Sequence, residues 1–194
     1  MIYRSGLWLI FALVLTFGIT PTLLPAHATD AAWARVQRGG YTILIQGGDA
    51  SGALSPASDV SADCTTRTLS DRGHQLAQKL GARFAARGVR IDRVLTSSTC
   101  NARETARLSF GSSPTEIFAP LDQADGDDSA RKTQLEQIRT TILTFKGSGN
   151  LVLLTDRTNI MALTGVTPRP TEAVVTAPAE DGETIHVAGR IIFD

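Results

Sequence analysis

Gln46, Gly47 and Asp156 are the residues whose types and placement bear most directly on chemistry. Gln46 closes an apolar strand pattern that runs straight into a glycine pair, Gly39-Gly-Tyr-Thr-Ile-Leu-Ile-Gln-Gly-Gly48. A strand that ends this way delivers a loop to a sheet edge, which is where α/β proteins bind ligands. Asp156 sits in a loop, Thr155-Asp156-Arg157, after another continuous apolar run, Leu151 to Leu154. Asp156 as an aspartyl-phosphate nucleophile lacks the Asp-x-Asp pairing and magnesium ligands of that chemistry. The pair Ser97-Ser98 lacks a Gly-x-Ser-x-Gly elbow, and no His is placed by any motif as its base. His74 falls early in a helical stretch and His186 in a late extended one, both far in sequence from the strand ends.

The elements that position these residues follow from periodicity. Trp33 to Arg38 predicts one or two turns of helix, and Tyr41 to Ile45 a central strand, apolar on both faces apart from Thr42. Gly47 to Thr68 has no period and predicts a long loop. Ser70 is a good N-cap for a helix carrying Leu76, Leu80 and Phe84 on one face and closed by Gly88. Ile91 to Thr96 predicts a strand, Cys100 to Leu108 a helix, and Asp122 to Ser129 a solvated acidic loop without the spacing of a calcium site. Leu135, Ile138, Ile142 and Phe145 mark a further helix, Thr158 to Leu163 another that Gly165 ends, and Ala173 to Thr176 with Ile185 to Ile192 an edge hairpin across Asp181-Gly182. This order is that of an α/β three-layer sandwich with a largely parallel sheet.

The chain opens with Arg4, an unbroken apolar run from Leu7 to Phe17, and the small-x-small triplet Ala26-His27-Ala28. The run is about half a bilayer span, which predicts a signal peptide over residues 1–28 and one domain over 29–194, with an uncleaved anchor as the alternative. The expected location is periplasmic or secreted, with no stable membrane anchor after cleavage. The whole chain carries 19 basic and 19 acidic residues, and without the first 28 residues 18 and 19 remain. With no Lys/Arg cluster, nucleic acid is not an expected partner. The two cysteines, Cys64 and Cys100, both fall in the exported part. In an oxidising compartment they would close a loop of about 36 residues and stabilise by roughly 3 to 4 kcal/mol, the alternative being two unpaired thiols. No metal site or cofactor is expected, because neither cysteine has a histidine close by in sequence.

Three segments together carry a family resemblance: Leu69-Ser-Asp-Arg-Gly73, Leu95-Thr-Ser-Ser-Thr-Cys-Asn-Ala-Arg-Glu-Thr-Ala106 and Asn150-Leu-Val-Leu-Leu-Thr-Asp-Arg-Thr-Asn-Ile160. The chain from Trp33 to Ile192 resembles the histidine phosphatase superfamily, with its phosphoglycerate-mutase-like fold. It is most similar to an exported bacterial branch in which two such cysteines occur together. In that family an Arg-His-Gly motif ends the first strand, its His taking the phosphoryl group and its Arg holding the phosphoryl oxygens. A second Arg and a second His complete the anion pocket.

Carried onto this chain, the resemblance places the motif's Arg on Gln46, its His on Gly47 and its Gly on Gly48. The second Arg belongs to Ser-x-x-x-Arg-Ala-x-x-Thr; the stretch from Ser98 to Thr105 is one residue short of it and has Asn101 before the Ala. The second His falls on Asp156. All four phosphate-handling residues are thus replaced, and no residue is assigned a catalytic role. Asp156 also reverses the sign of the site, since two like charges about 4 Å apart repel by roughly 4 kcal/mol at an effective dielectric of 20. The expectation is a pseudophosphatase that binds a small molecule or protein, in a cleft formed by Gln46, Gly47, Gly48, Asn101 and Asp156, with Arg103 and Arg157 as further binding candidates. The alternative is an active phosphatase or other hydrolase on phosphate esters, rewired around Asp156 with Arg103 or Arg157.

Overall fold

Alternation along one short strand organises the molecule. In the computed structural model, which describes residues 26–49, 64, 69–123, 127–169 and 172–193, β1 (Thr42–Gln46) is buried from Thr42 to Ile45. Its Ile43 and Ile45 enter one apolar cluster and Leu44 the other. The first cluster takes Trp33 from α1 (Ala26–Arg38), Leu80 and Phe84 from α2 (Asp71–Ala86), and Ala102, Ala106 and Phe110 from α3 (Cys100–Phe110). The second takes Ile138 and Ile142 from α4 (Asp128–Thr144) and Ile160 and Leu163 from α5 (Arg157–Thr164). A strand whose successive side chains point to opposite faces, each covered by helices, makes three layers.

The sheet has the order β3-β2-β4-β1-β5-β6, with β2 at Ile91–Thr96, β3 at Thr115–Ile117, β4 at Asn150–Thr155, β5 at Glu172–Pro178 and β6 at Ile185–Ile192. The pairs β1/β4, β2/β4 and β2/β3 are parallel, and β5 and β6 close the other edge as an antiparallel hairpin. This is the α/β three-layer sandwich that the element order predicts. The hairpin turns at Asp181-Gly182, where Gly182 has φ +70° and Asp181 Oδ1 accepts from the N–H groups of Glu183 and Thr184.

The differences from the sequence reading concern short or capped elements. β3 is three exposed residues, too short for any alternation to register. α4 begins within the stretch expected as an acidic loop, because Asp127 serves as N-cap and accepts from Ala130 N at 2.8 Å. Thr155-Asp156-Arg157 is not a loop: Thr155 ends β4, Asp156 is the N-cap of α5 and Arg157 its first residue. α1 starts at Ala26, so a cut after Ala28 would remove three of its residues and none of the positions that pack, Ala32, Trp33 and Val36. The apolar run from Leu7 to Phe17 and most of the loop expected from Gly47 to Thr68 lie outside the described residues. Among the described residues no helix is long and apolar enough to cross a membrane, and no group of three or more His, Cys, Asp and Glu could hold a metal ion.

Cys64 and Cys100 form a disulfide that ties the end of the β1–α2 connection to the first residue of α3. The connection is fixed at its start as well, since Ser70 N donates to Asp49 O and Ser70 Oγ to Asp49 Oδ2 at 3.0 Å.

Candidate functional site

Three parallel strands end at the same edge of the sheet, which brings their following residues side by side. Gln46 is in register with Thr155, and Thr96 with Leu154. The next peptides continue the pairing, Gly47 N donating to Thr155 O at 3.1 Å and Ser97 N to Leu154 O at 2.9 Å. Between these ends lies a cleft of about 190 Å³ whose walls include Gln46, Gly47, Ser97, Asn101, Asp156 and Arg157. Of the sequence candidates, five therefore meet. Gly48 stands behind Gly47 and lines an adjoining hollow instead.

Arg103 does not line this cleft. Its Nη1 donates to Cys64 Sγ at 3.1 Å, and it borders a different depression alongside Arg107 and Glu116. Arg157 does line it, as an exposed residue that makes no ion pair with Asp156 or any other described acid. His74 and His186 lie in α2 and β6 and take no part in the cleft.

The structure also corrects the count of the second motif. Ser97, not Ser98, is the buried residue that follows β2 and lines the cleft. Counted from Ser97, the spacing Ser-x-x-x-Arg-Ala-x-x-Thr is complete, with Asn101 in the place of the Arg. Ala102 and Thr105, the motif's small and hydroxyl positions, are both buried. Sequence reasoning missed Ser97, Thr99 and Gln123 as cleft residues; for Ser97 the exact spacing was the available signal.

Several backbone N–H groups around the cleft are taken by the chain's own side chains. Asp156 Oδ1 accepts from Asn159 N at 2.8 Å, and Asn101 Oδ1 from Ala102 N at 2.9 Å. Asp122 accepts from both Ser98 N, at 2.5 Å, and Ser98 Oγ. Thr105 Oγ1 accepts from Gly48 N at 2.9 Å and passes its own proton to Asn101 O at 2.7 Å. The Asn101 amide is committed at its other end too, Nδ2 donating to Gly48 O at 3.3 Å. Gln46 Oε1, Asp156 Oδ2 and Asn159 Oδ1 are the buried side-chain polar atoms without a hydrogen-bond partner among the described residues, and all three are acceptors.

Beneath the cleft, Asn159 Nδ2 donates to Thr155 Oγ1 and Asp122 O, and Thr155 Oγ1 to Leu121 O. This buried set holds the α5 N-terminus against the segment that carries Asp122.

Solved structures share this arrangement of strands and helices. The protein histidine phosphatase SixA in complex with tungstate is 19% identical over 78% of this chain and 96% of its own, with a TM-score of 0.55. The α-ribazole phosphatase from Shigella flexneri is 16% identical over 79% of this chain and 98% of its own, with a TM-score of 0.58. YhfR of Bacillus stearothermophilus gives 16%, 77%, 95% and 0.56 for the same quantities. The chain has the histidine phosphatase superfamily fold. No family model and no curated protein matches the sequence. Within the histidine phosphatase fold, the four positions expected to have lost their phosphate-handling residues, Gln46, Gly47, Asn101 and Asp156, converge on a single cleft. A Cβ on Gly47 would stand 3.3 Å from Asn101 Nδ2 and 3.5 Å from Ala102, so a side chain there would displace the Asn101 amide slightly.

Proposed function

We propose that this protein is exported, has lost phosphoryl transfer and uses the cleft at Gln46, Gly47, Asn101 and Asp156 to bind a ligand. One observation carries the reading: the buried side-chain atoms left without a partner at the cleft, Gln46 Oε1 and Asp156 Oδ2, are acceptors, while Asp156, Asn101, Asp122 and Thr105 take N–H groups around it. A phosphate dianion needs donors and positive charge. This cleft offers it a carboxylate, and Gly47 offers no nucleophile. Export is supported by the apolar N-terminal run and by the disulfide, since disulfides persist in oxidising compartments.

The rewired-phosphatase alternative loses one of its two proposed clamps, because Arg103 is turned to Cys64, and retains Asp156 with Arg157. A hydrolysis screen of the purified protein against phosphate monoesters, beside its Asp156→Asn variant, separates the two. Asn is chosen because Asp156 caps α5, and Ala there would cost about 1 kcal/mol of stability. Neither protein is expected to turn over, and orthovanadate is expected to give no thermal shift. Turnover by the wild type that the variant lacks would overturn the proposal.

A further inference from the structure

The open edge of the sheet shares no lining residue with the cleft and carries its own set of unanswered groups. β3 is the last strand on its side and pairs only with β2. Val94 N donates to Pro114 O and Phe118 N to Thr96 O, so alternate residues of this segment turn their peptides to β2. Thr115 and Ile117, in between, turn theirs outward. Both are exposed, and their backbone N–H and C=O groups have no partner among the described residues. An edge of this kind can bond an added extended chain.

The side chains beside the edge say which chain it suits. Thr115 is in register with Val94, whose side chain enters the cluster under α3, so Thr115 and Ile117 project toward the α3 layer. They border a depression of about 390 Å³ together with Arg103, Arg107, Ser113 and Glu116. Arg103 Nη1 donates to the neutral Cys64 sulfur at 3.1 Å and pairs with no acid among the described residues. Arg107, its side chain 67% exposed, stands 3.9 Å from Glu104. Glu116 answers neither, because Arg93 holds both of its carboxylate oxygens, at 3.0 and 2.6 Å. The depression is therefore positive, and exposed Ile117 adds an apolar contact at its rim.

We propose that the β3 edge binds an extended segment of another protein with acidic side chains at alternate positions. Alternate residues of a strand lie about 7 Å apart on one face, and Arg103 and Arg107, one helical turn apart, about 6 Å. Two such carboxylates match the two guanidiniums while the segment's backbone bonds Thr115 and Ile117. A strand bearing lysine would set cation against cation. With only three residues in β3, backbone pairing alone is weak, and the charges supply the discrimination.

NMR titration of the isotope-labelled protein with the peptide acetyl-Val-Glu-Val-Glu-Val-amide tests this. The Thr115 and Ile117 amides are expected to shift saturably, and the affinity to fall as salt is raised. Replacing both Glu by Gln in the peptide, or Arg107 by Gln in the protein, is expected to weaken binding about tenfold or more. Of two peptides N-methylated at the Glu or at the Val nitrogens, one is expected to lose binding and the other to keep it, since only alternate N–H groups face the edge. No shift at millimolar peptide, shifts confined to other amides, or equal binding of the two N-methylated peptides would each overturn the proposal. So would equal affinity of the Glu and Gln peptides, or of Arg107→Gln and wild type. A dimer in sedimentation that Ile117→Pro dissolves, with no peptide bound, would give the edge to a second copy of this chain instead.

Discussion

Arg190→Met is expected to destabilise the protein by about 3 kcal/mol or more, whereas Glu172→Gln is expected to cost about 1 kcal/mol. The two residues form an ion pair between the edge strands, and they are not equally buried: Glu172 is fully buried and the Arg190 side chain 44% exposed. Arg190 donates to both carboxylate oxygens, and Arg169 N adds a hydrogen bond at 2.9 Å. Removing Glu172 therefore frees an arginine that water can reach. Removing Arg190 leaves a buried carboxylate with one backbone donor, which is the costly way to break such a pair. For a domain of this size the Arg190→Met loss corresponds to roughly 6 to 12 °C in Tm. Adding Glu172→Leu to Arg190→Met is expected to recover most of it, and failure to recover would show that packing around Arg190, not its charge, carries the effect.

The pair also sets a pH dependence. Burial pushes the Glu172 carboxyl up, but the hydrogen bonds from Arg190 and Arg169, with the charges of both, more than offset it and hold the group below its ordinary value. A carboxyl whose pKa is depressed on folding contributes stability that is present above the unfolded pKa, about 4.5, and is lost as pH falls through the folded one. Urea unfolding is expected to show this loss below about pH 4.5 in the wild type. In Arg190→Met only the Arg169 hydrogen bond and charge remain to oppose burial, so that acid-side loss is expected to shrink. An unchanged acid profile in the variant would assign it to other carboxylates.

Breaking the Cys64–Cys100 bond is expected to cost roughly 3 to 4 kcal/mol, because it closes a loop of 36 residues whose freedom in the unfolded chain it restricts. That is about 6 to 16 °C in Tm, measurable by melting with and without a reductant or in the Cys64→Ser/Cys100→Ser double variant. Cys100 is buried at the start of α3, immediately before Asn101, so the bond anchors the loop to the helix that borders the cleft. Thiol titration of the unfolded, unreduced protein should find none. Two reactive thiols, or a melting temperature indifferent to reductant, would remove both this prediction and one support for export.

Much of the frame was legible before any tertiary information. A short apolar run before a glycine pair marks β1, the four-residue spacing of Leu76, Leu80 and Phe84 marks α2, and Ser70 and Gly165 cap helices as their types predict, Gly165 at φ +70°. Local chemistry decides these features, so a single sequence suffices. The short strand β3 and the early start of α4 escaped, because three exposed residues carry no period and an aspartate-rich stretch reads as solvated whether or not one of its members caps a helix.

The residue types at the cleft, Gln46, Gly47, Asn101 and Asp156, were set by the sequence, and none of them is a histidine that could take a phosphoryl group. Their bonding was not. Asn101 and Thr105 lie one helical turn apart on the face of α3 that meets Gly48, while Arg103, two residues on from Asn101, is rotated by about 200° and faces Cys64. Only the packing of α3 and α5 against the strand ends decides which N–H groups are already occupied and which oxygens remain unpaired. A hydrogen bond between distant segments has no local signature, and the bonds Gly48–Thr105, Asn101–Gly48 and Ser98–Asp122 are of that kind.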